Sequence, residues 1–154
     1  MASTKQTKKT MQVVSAAVNS SYDYRHEFVT PEHLLLALMV EDDNFYNILN
    51  IFYDASSFIT EIQKHLAEIE SMPDEIDYNP EFSAQMCELI DKSWEQVVFS
   101  SAEAIDIPHL AKAMLEQEES WATYMLKKAL YGKETHFLTK LINGVITCEP
   151  RYYS

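Results

Sequence analysis

Shifted by 76 residues, the sequence lies on itself. Thr30 falls on Asp106, His33 on His109, Leu34 on Leu110 and Ala37 on Ala113. The same shift lays Val13 on Leu89, Val14 on Ile90, Val18 on Trp94, Phe45 on Trp121 and Leu49 on Met125. Caps, small residues and large apolar residues coincide without a gap over about 45 positions, the mark of a duplicated unit. Four short helices seldom bury their apolar faces alone, so the halves are expected to pack on each other as one domain. A length of 154 residues suits that, or two very small domains.

Each half reads as helical. Met11, Val14, Ala17 and Val18 share one face of a helix running to about Tyr24. Thr30 reads as an N-cap, with Pro31 at the first helical position and Glu32 in the first turn, a cap contributing ~1 kcal/mol. Leu34, Leu35, Leu38 and Met39 carry that helix's stripe. Phe45, Ile48, Leu49 and Phe52 mark a third helix, and Phe58, Ile59, Ile62 and Leu66 a fourth. From Ser71 to Glu81 the pattern stops, and prolines and acids predict an exposed linker. Met86, Leu89, Ile90, Trp94, Val97 and Val98 then resume as a long amphipathic helix. Asp106 is the next N-cap, before Leu110, Ala113 and Met114. Trp121, Met125 and Leu126 define another helix, and Phe137, Leu138, Leu141 and Ile142 the last. The expected architecture is all-α, about eight helices in one pseudo-twofold domain: repeat one over 10–70, the linker over 71–81 and repeat two over 82–146. The ends, 1–9 and 147–154, read as flexible.

Composition removes several function classes. The two glycines, Gly132 and Gly144, sit in no Gly-rich turn, so neither a P-loop nor a dinucleotide fingerprint is present. Few glycines also leave little material for hairpins. A net charge of −12 opposes binding to nucleic-acid backbone or anionic lipid. No apolar run is long enough to span a bilayer, and MASTKQTKKT lacks the apolar stretch of a secretory signal. Cys87 and Cys148 make no disulfide framework, so a reducing cytoplasm is the expected compartment.

No catalytic arrangement emerges. Ser, His and Asp occur without a nucleophile-elbow pattern. Cys87 sits beside acids rather than the cations that activate a thiol. Acid pairs such as Glu116/Glu119 and Asp74/Glu75 fall on solvated faces or in the linker. His33 and His109 each sit just inside a cap, which favours a hydrogen bond holding the interhelical loop; a metal site would need about three more converging ligands. Neither a metal nor another cofactor is expected. Seven Met, seven Phe and nine Tyr invite a peptide-groove reading, but most fall on the core stripes.

The stretch His26-Glu27-Phe28-Val29-Thr30-Pro31-Glu32-His33-Leu34-Leu35-Leu36-Ala37-Leu38 resembles the signature of the Clp N-terminal domain, which precedes the ATPase modules of Clp-type AAA+ unfoldases. Glu119-Ser120-Trp121-Ala122-Thr123-Tyr124-Met125-Leu126-Lys127-Lys128 is similar to the ClpA branch. The resemblance covers about residues 8–146 and implies a duplicated four-helix domain. It implies docking of ClpS-type adaptors and of unfolded or tagged protein substrates. ATPase modules and a Clp peptidase would be reached through a parent protein. The chain is then either such a domain cut from a longer protein or a stand-alone accessory relative. By the same resemblance the adaptor would meet His26, Glu27, Phe28, Thr30, Glu32, Ser83 and Glu88. Glu27 and Glu32 match acids of that contact, Ser83 a hydroxyl residue, and Glu88 reverses an arginine. Both acids are expected to face solvent, although an acid there also suits a helix N-terminus. A small helical hydrolase or metalloenzyme using His26, Glu27, Glu32 or His33 is the competing reading.

Overall fold

The computed structural model describes residues 5–151, and side chains through residue 144. Eight helices run in order: α1 (Lys8–Asp23), α2 (Pro31–Glu41), α3 (Asp43–Phe52), α4 (Ala55–Glu68), α5 (Ala84–Phe99), α6 (Ile107–Glu116), α7 (Trp121–Leu130) and α8 (Glu134–Arg151). The predicted all-α repeat is the observed fold. Two short strands were not predicted: β1 (Phe28–Val29) and β2 (Glu81–Phe82) pair in parallel, with Phe28 opposite Glu81 and Val29 opposite Phe82.

The strands tie the halves together, and they do it twice. At the 76-residue offset, Val29 and Phe82 become Ile105 and Gln6, and those two form an isolated parallel bridge. Each repeat's entry segment therefore pairs with the other repeat's loop. This corrects one expectation. Residues 5–9 are anchored rather than flexible: Ile105 N–H donates to the Lys5 carbonyl, Thr7 N–H donates to that of Ile105, and Thr7 caps α1. At the other end, residues 147–151 continue α8, and 152–154 lie outside the described residues. The side chain of Cys148 lies outside them too, while Cys87 is an exposed thiol.

The offset also repeats the turns after the long helices. Arg25 and Ser101 adopt left-handed φ values of 54° and 58°. At each, the residue's own N–H and the next one reach back to close the helix: Arg25 to Tyr22 and His26 to Ser21, Ser101 to Val98 and Ala102 to Val97. Glycine would adopt that conformation without strain, so each non-glycine residue stores ~1 kcal/mol there. In repeat one the arginine is put to use. Its guanidinium donates to the Met72, Pro73 and Ile76 carbonyls and lies over the Tyr78 ring. The expected linker is exposed, yet strapped to the end of α1.

Helix α2 is the hub. Every residue from Pro31 to Met39 is buried, because α1, α3 and α4 cover it from its own repeat and α5 and α7 from the other. Phe137 of α8 packs edge-on against Phe45 and Phe52 of α3. Gly144 permits the close approach of the same two helices, since a Cβ there would come 2.5 Å from the Asn44 side chain. The gapless repeat ends at this point. In burial, Phe45, Ile48 and Leu49 of α3 correspond to Ala122, Met125 and Leu126 of α7, one residue beyond the original offset. The turn after α6 absorbs the difference.

Candidate docking site

The parallel pair brings together two segments far apart in sequence. Glu81 N–H donates to the Glu27 carbonyl and Ser83 N–H to that of Val29, so His26–Thr30 lies beside Glu81–Ser83. Phe28 and Phe82 are 40% and 38% exposed. The register sets Phe28 opposite Glu81, and Glu27 and Phe82 are exposed next to them along the chain, so two acids and two large rings meet water at this joint. Phe82 and Glu81 were missed by sequence reasoning, because only the interrepeat pairing places them there.

The predicted site residues separate into surface and scaffold. Glu27 and Phe28 are exposed, and Thr30 is half-buried. Ser83 serves as the N-cap of α5, its hydroxyl accepting from Met86 N–H at 3.0 Å. Glu88 is exposed one turn further on and accepts from the Gln117 amide at 3.3 Å. A cleft of about 520 Å³ beside it is lined by Glu116, Glu118 and Glu119, with Lys92 its one cation. His26 is buried, not surface.

Glu32 departs furthest from expectation. It is only 7% exposed, and its carboxylate accepts from Ala122 N–H at 3.0 Å and Ser120 Oγ at 3.4 Å. The first turn of α7 leaves N–H groups without helical partners, and a carboxylate there satisfies one while opposing the dipole charge. Glu32 therefore joins the repeats and does not line up with Glu27 on an open face.

His26 and His33 form a buried pair under the docking loop. His33 replaces the usual Glu or Gln of a capping box: its Nδ1 accepts from Thr30 N–H at 3.0 Å, so the neutral ring carries its proton on Nε2. That proton points at His26 Nδ1, 2.8 Å away. His109 repeats the cap, accepting from Asp106 N–H at 2.9 Å. Both paired histidines thus hold the interhelical loop. The His26 Nε2 proton makes no hydrogen bond of good geometry, although the Leu66 and Ile69 carbonyls lie near enough to favour the charged form. Among the described residues no three His, Cys, Asp or Glu side chains converge as a metal site requires.

Burial, then the neighbouring His26, lowers the His33 pKa to about 4; burial also lowers His26 and His109. A histidine held neutral in the fold takes its proton first when unfolded. Stability is therefore full above ~6.5, the unfolded pKa, and falls as pH drops toward the folded one. From His33 alone, urea unfolding should show a loss of about 2 kcal/mol between pH 7 and pH 5. His33→Gln keeps an acceptor at the cap and should flatten that slope; an unchanged slope would assign it to other groups. Asp42, raised by burial, works in the opposite sense at the acid end.

Eight helices in two like halves, knitted by exchanged entry segments, define a two-repeat helical domain with exposed acids and rings at one joint. The chain belongs to the Clp repeat (R) N-terminal domain family, whose model matches residues 5–129. The fold is similar to the Hsp104 N-terminal domain from Candida albicans, at 18% identity and TM-score 0.73 over 90% of this chain and 89% of that one. It is also similar to the N-terminal domain of the chaperone ClpD from Arabidopsis thaliana, at 14% identity and TM-score 0.69 over 92% and 94%. The N-terminal domain of the ClpV1 ATPase from the E. coli EAEC Sci1 type VI secretion system matches at 18% identity and TM-score 0.70 over 89% and 83%. No curated sequence matches the chain significantly. No helix among the described residues is long and apolar enough to cross a membrane.

Proposed function

We propose that the chain is the adaptor- and substrate-docking domain of a ClpA-like unfoldase, non-catalytic in itself and working in the cytoplasm through ATPase modules of a parent protein. The observation that supports this is the β1–β2 joint, where exposed Phe28 and Phe82 stand among exposed acids. A ClpS-type adaptor presenting an apolar pocket rimmed by Lys or Arg would suit it. Aromatic anchors supply the affinity and rim charges the on-rate. The stand-alone accessory reading uses the same surface. The hydrolase and metalloenzyme readings lose support because Glu32 points to α7 and His26 is bonded to His33.

The test is titration with a purified ClpS-type adaptor. Phe28→Ser with Glu27→Lys should weaken binding at least ~10-fold, about 1.4 kcal/mol, and flatten its salt dependence. Both side chains are exposed, so thermal unfolding should change little. Glu88→Arg, restoring the family charge, should strengthen binding. An adaptor bound as tightly by the folded double variant would place docking elsewhere.

A further inference from the structure

Repeat two has a groove beside the end of its first long helix, where the 76-residue offset replaces two rings of repeat one by small side chains. It runs between the end of α5, the start of α6 and the first half of α8, and measures about 840 Å³. Phe99, His109, Lys112, Leu138 and Ile142 are among its walls. Phe99 is 89% exposed and Ile142 about half exposed. Apolar concavity of this size marks a binding site more often than idle surface.

The repeat explains the groove. At the end of α1, Tyr24 and His26 stack with ring centroids 5.2 Å apart and planes 12° from parallel. They sit over the start of α2, where His26 Nδ1 accepts from His33 Nε2–H. At the 76-residue offset, Ser100 replaces Tyr24 and Ala102 replaces His26, while the left-handed turn between them is retained at Ser101. Two rings give way to a hydroxymethyl and a methyl. His109, the counterpart of His33, has the same tautomer, because its Nδ1 accepts from Asp106 N–H. Its Nε2–H has no hydrogen-bond partner among the described residues, and the side chain lines the groove. The lining charges, Asp106 and Lys112, balance, so the walls favour a neutral apolar occupant.

We propose that this groove binds a segment of another polypeptide through two aromatic side chains two residues apart, reproducing the stack that Tyr24 and His26 form in repeat one. One ring offers an imidazole nitrogen or phenol oxygen to His109 Nε2–H, and the other packs on Leu138 and Phe99. The proposal rests on the domain engaging polypeptide, and not on the β1–β2 edge.

The probe is an acetylated, amidated heptapeptide, Gly-Ser-Tyr-Gly-His-Ser-Gly, with Gly-Ser-Ser-Gly-Ala-Ser-Gly as its control, titrated into the intact chain by amide NMR. Perturbations should centre on residues 96–100, Lys112 and 138–142, with the aromatic peptide binding at least ~10-fold more tightly than the control. The variant Ser100→Tyr with Ala102→His should plug its own groove and lose at least ~10-fold in affinity. Ile142→Asp, at a half-exposed position, should lose as much and decides the matter if the double variant misfolds. Ile142→Asp should bind the adaptor normally, and Glu27→Lys should bind the peptide normally, so failure of one surface is separable from failure of the other. Equal binding of both peptides, no saturation at millimolar peptide, or perturbations centred on Phe28 and Phe82 would overturn the proposal.

Discussion

Glu32→Lys is expected to cost about 3–5 kcal/mol of folding stability, the usual penalty for leaving an uncompensated charge where a buried, bonded one stood. The carboxylate is nearly enclosed and accepts from Ala122 N–H, so the substitution removes an acceptor and sets an ammonium against the positive end of α7. In a domain of this size the midpoint of thermal unfolding should fall by roughly 10 °C or more, read by circular dichroism. Glu32→Gln, which keeps an acceptor but no charge, should cost only about 1–2 kcal/mol. A lysine variant within about 1 kcal/mol of the parent would mean that the bond to α7 is not maintained in solution. Any loss of adaptor binding by Glu32→Lys would report unfolding, so Glu27 and Phe28 are the informative positions for docking.

Residues 1–81 alone should not form a cooperative monomer. Removing repeat two takes away α5 and α7 from α2 and α8 from α3, and deletes Ile105, which holds the entry to α1. Leu34, Leu35, Leu38 and Met39 are each at most 1% exposed, and the fragment has too few helices to surround that hub. Each large side chain returned to water costs roughly 1.5–3 kcal/mol, against a total stability of only about 5–15 kcal/mol. Retained far-ultraviolet helicity, lost cooperativity and dye binding would be the signature. A sharp thermal transition in a monomeric fragment would show the repeats to be independent domains.

Local chemistry was legible where a side chain acts on its own segment. Thr30-Pro31 and Asp106 announce helix starts because the cap lies within one turn, and the apolar spacing places all eight helices within a few residues. The left-handed turns at Arg25 and Ser101 carried no such signal, since neither is glycine and packing sets their conformation. Position 26 looked like a loop residue free to bind. Its burial follows from the Tyr24 ring, the His33 ring and the end of α4 closing over it.

What the sequence determined by itself is the pair of four-helix repeats, the helix starts, and the lack of a phosphate-binding loop, each a property of residues within a turn or of the whole composition. The tertiary structure alone decided which polar groups remain free. Glu27 and Glu32 are both acids near one helix start, five residues apart, yet Glu27 meets water while Glu32 meets the N-terminus of α7, a partner 90 positions along the chain. The exchanged strands that set Phe28 beside Glu81, and the groove at the counterpart of the Tyr24–His26 stack, arise the same way. Exposure depends on what the other repeat places opposite a residue, and a one-dimensional pattern contains the faces but not their pairing.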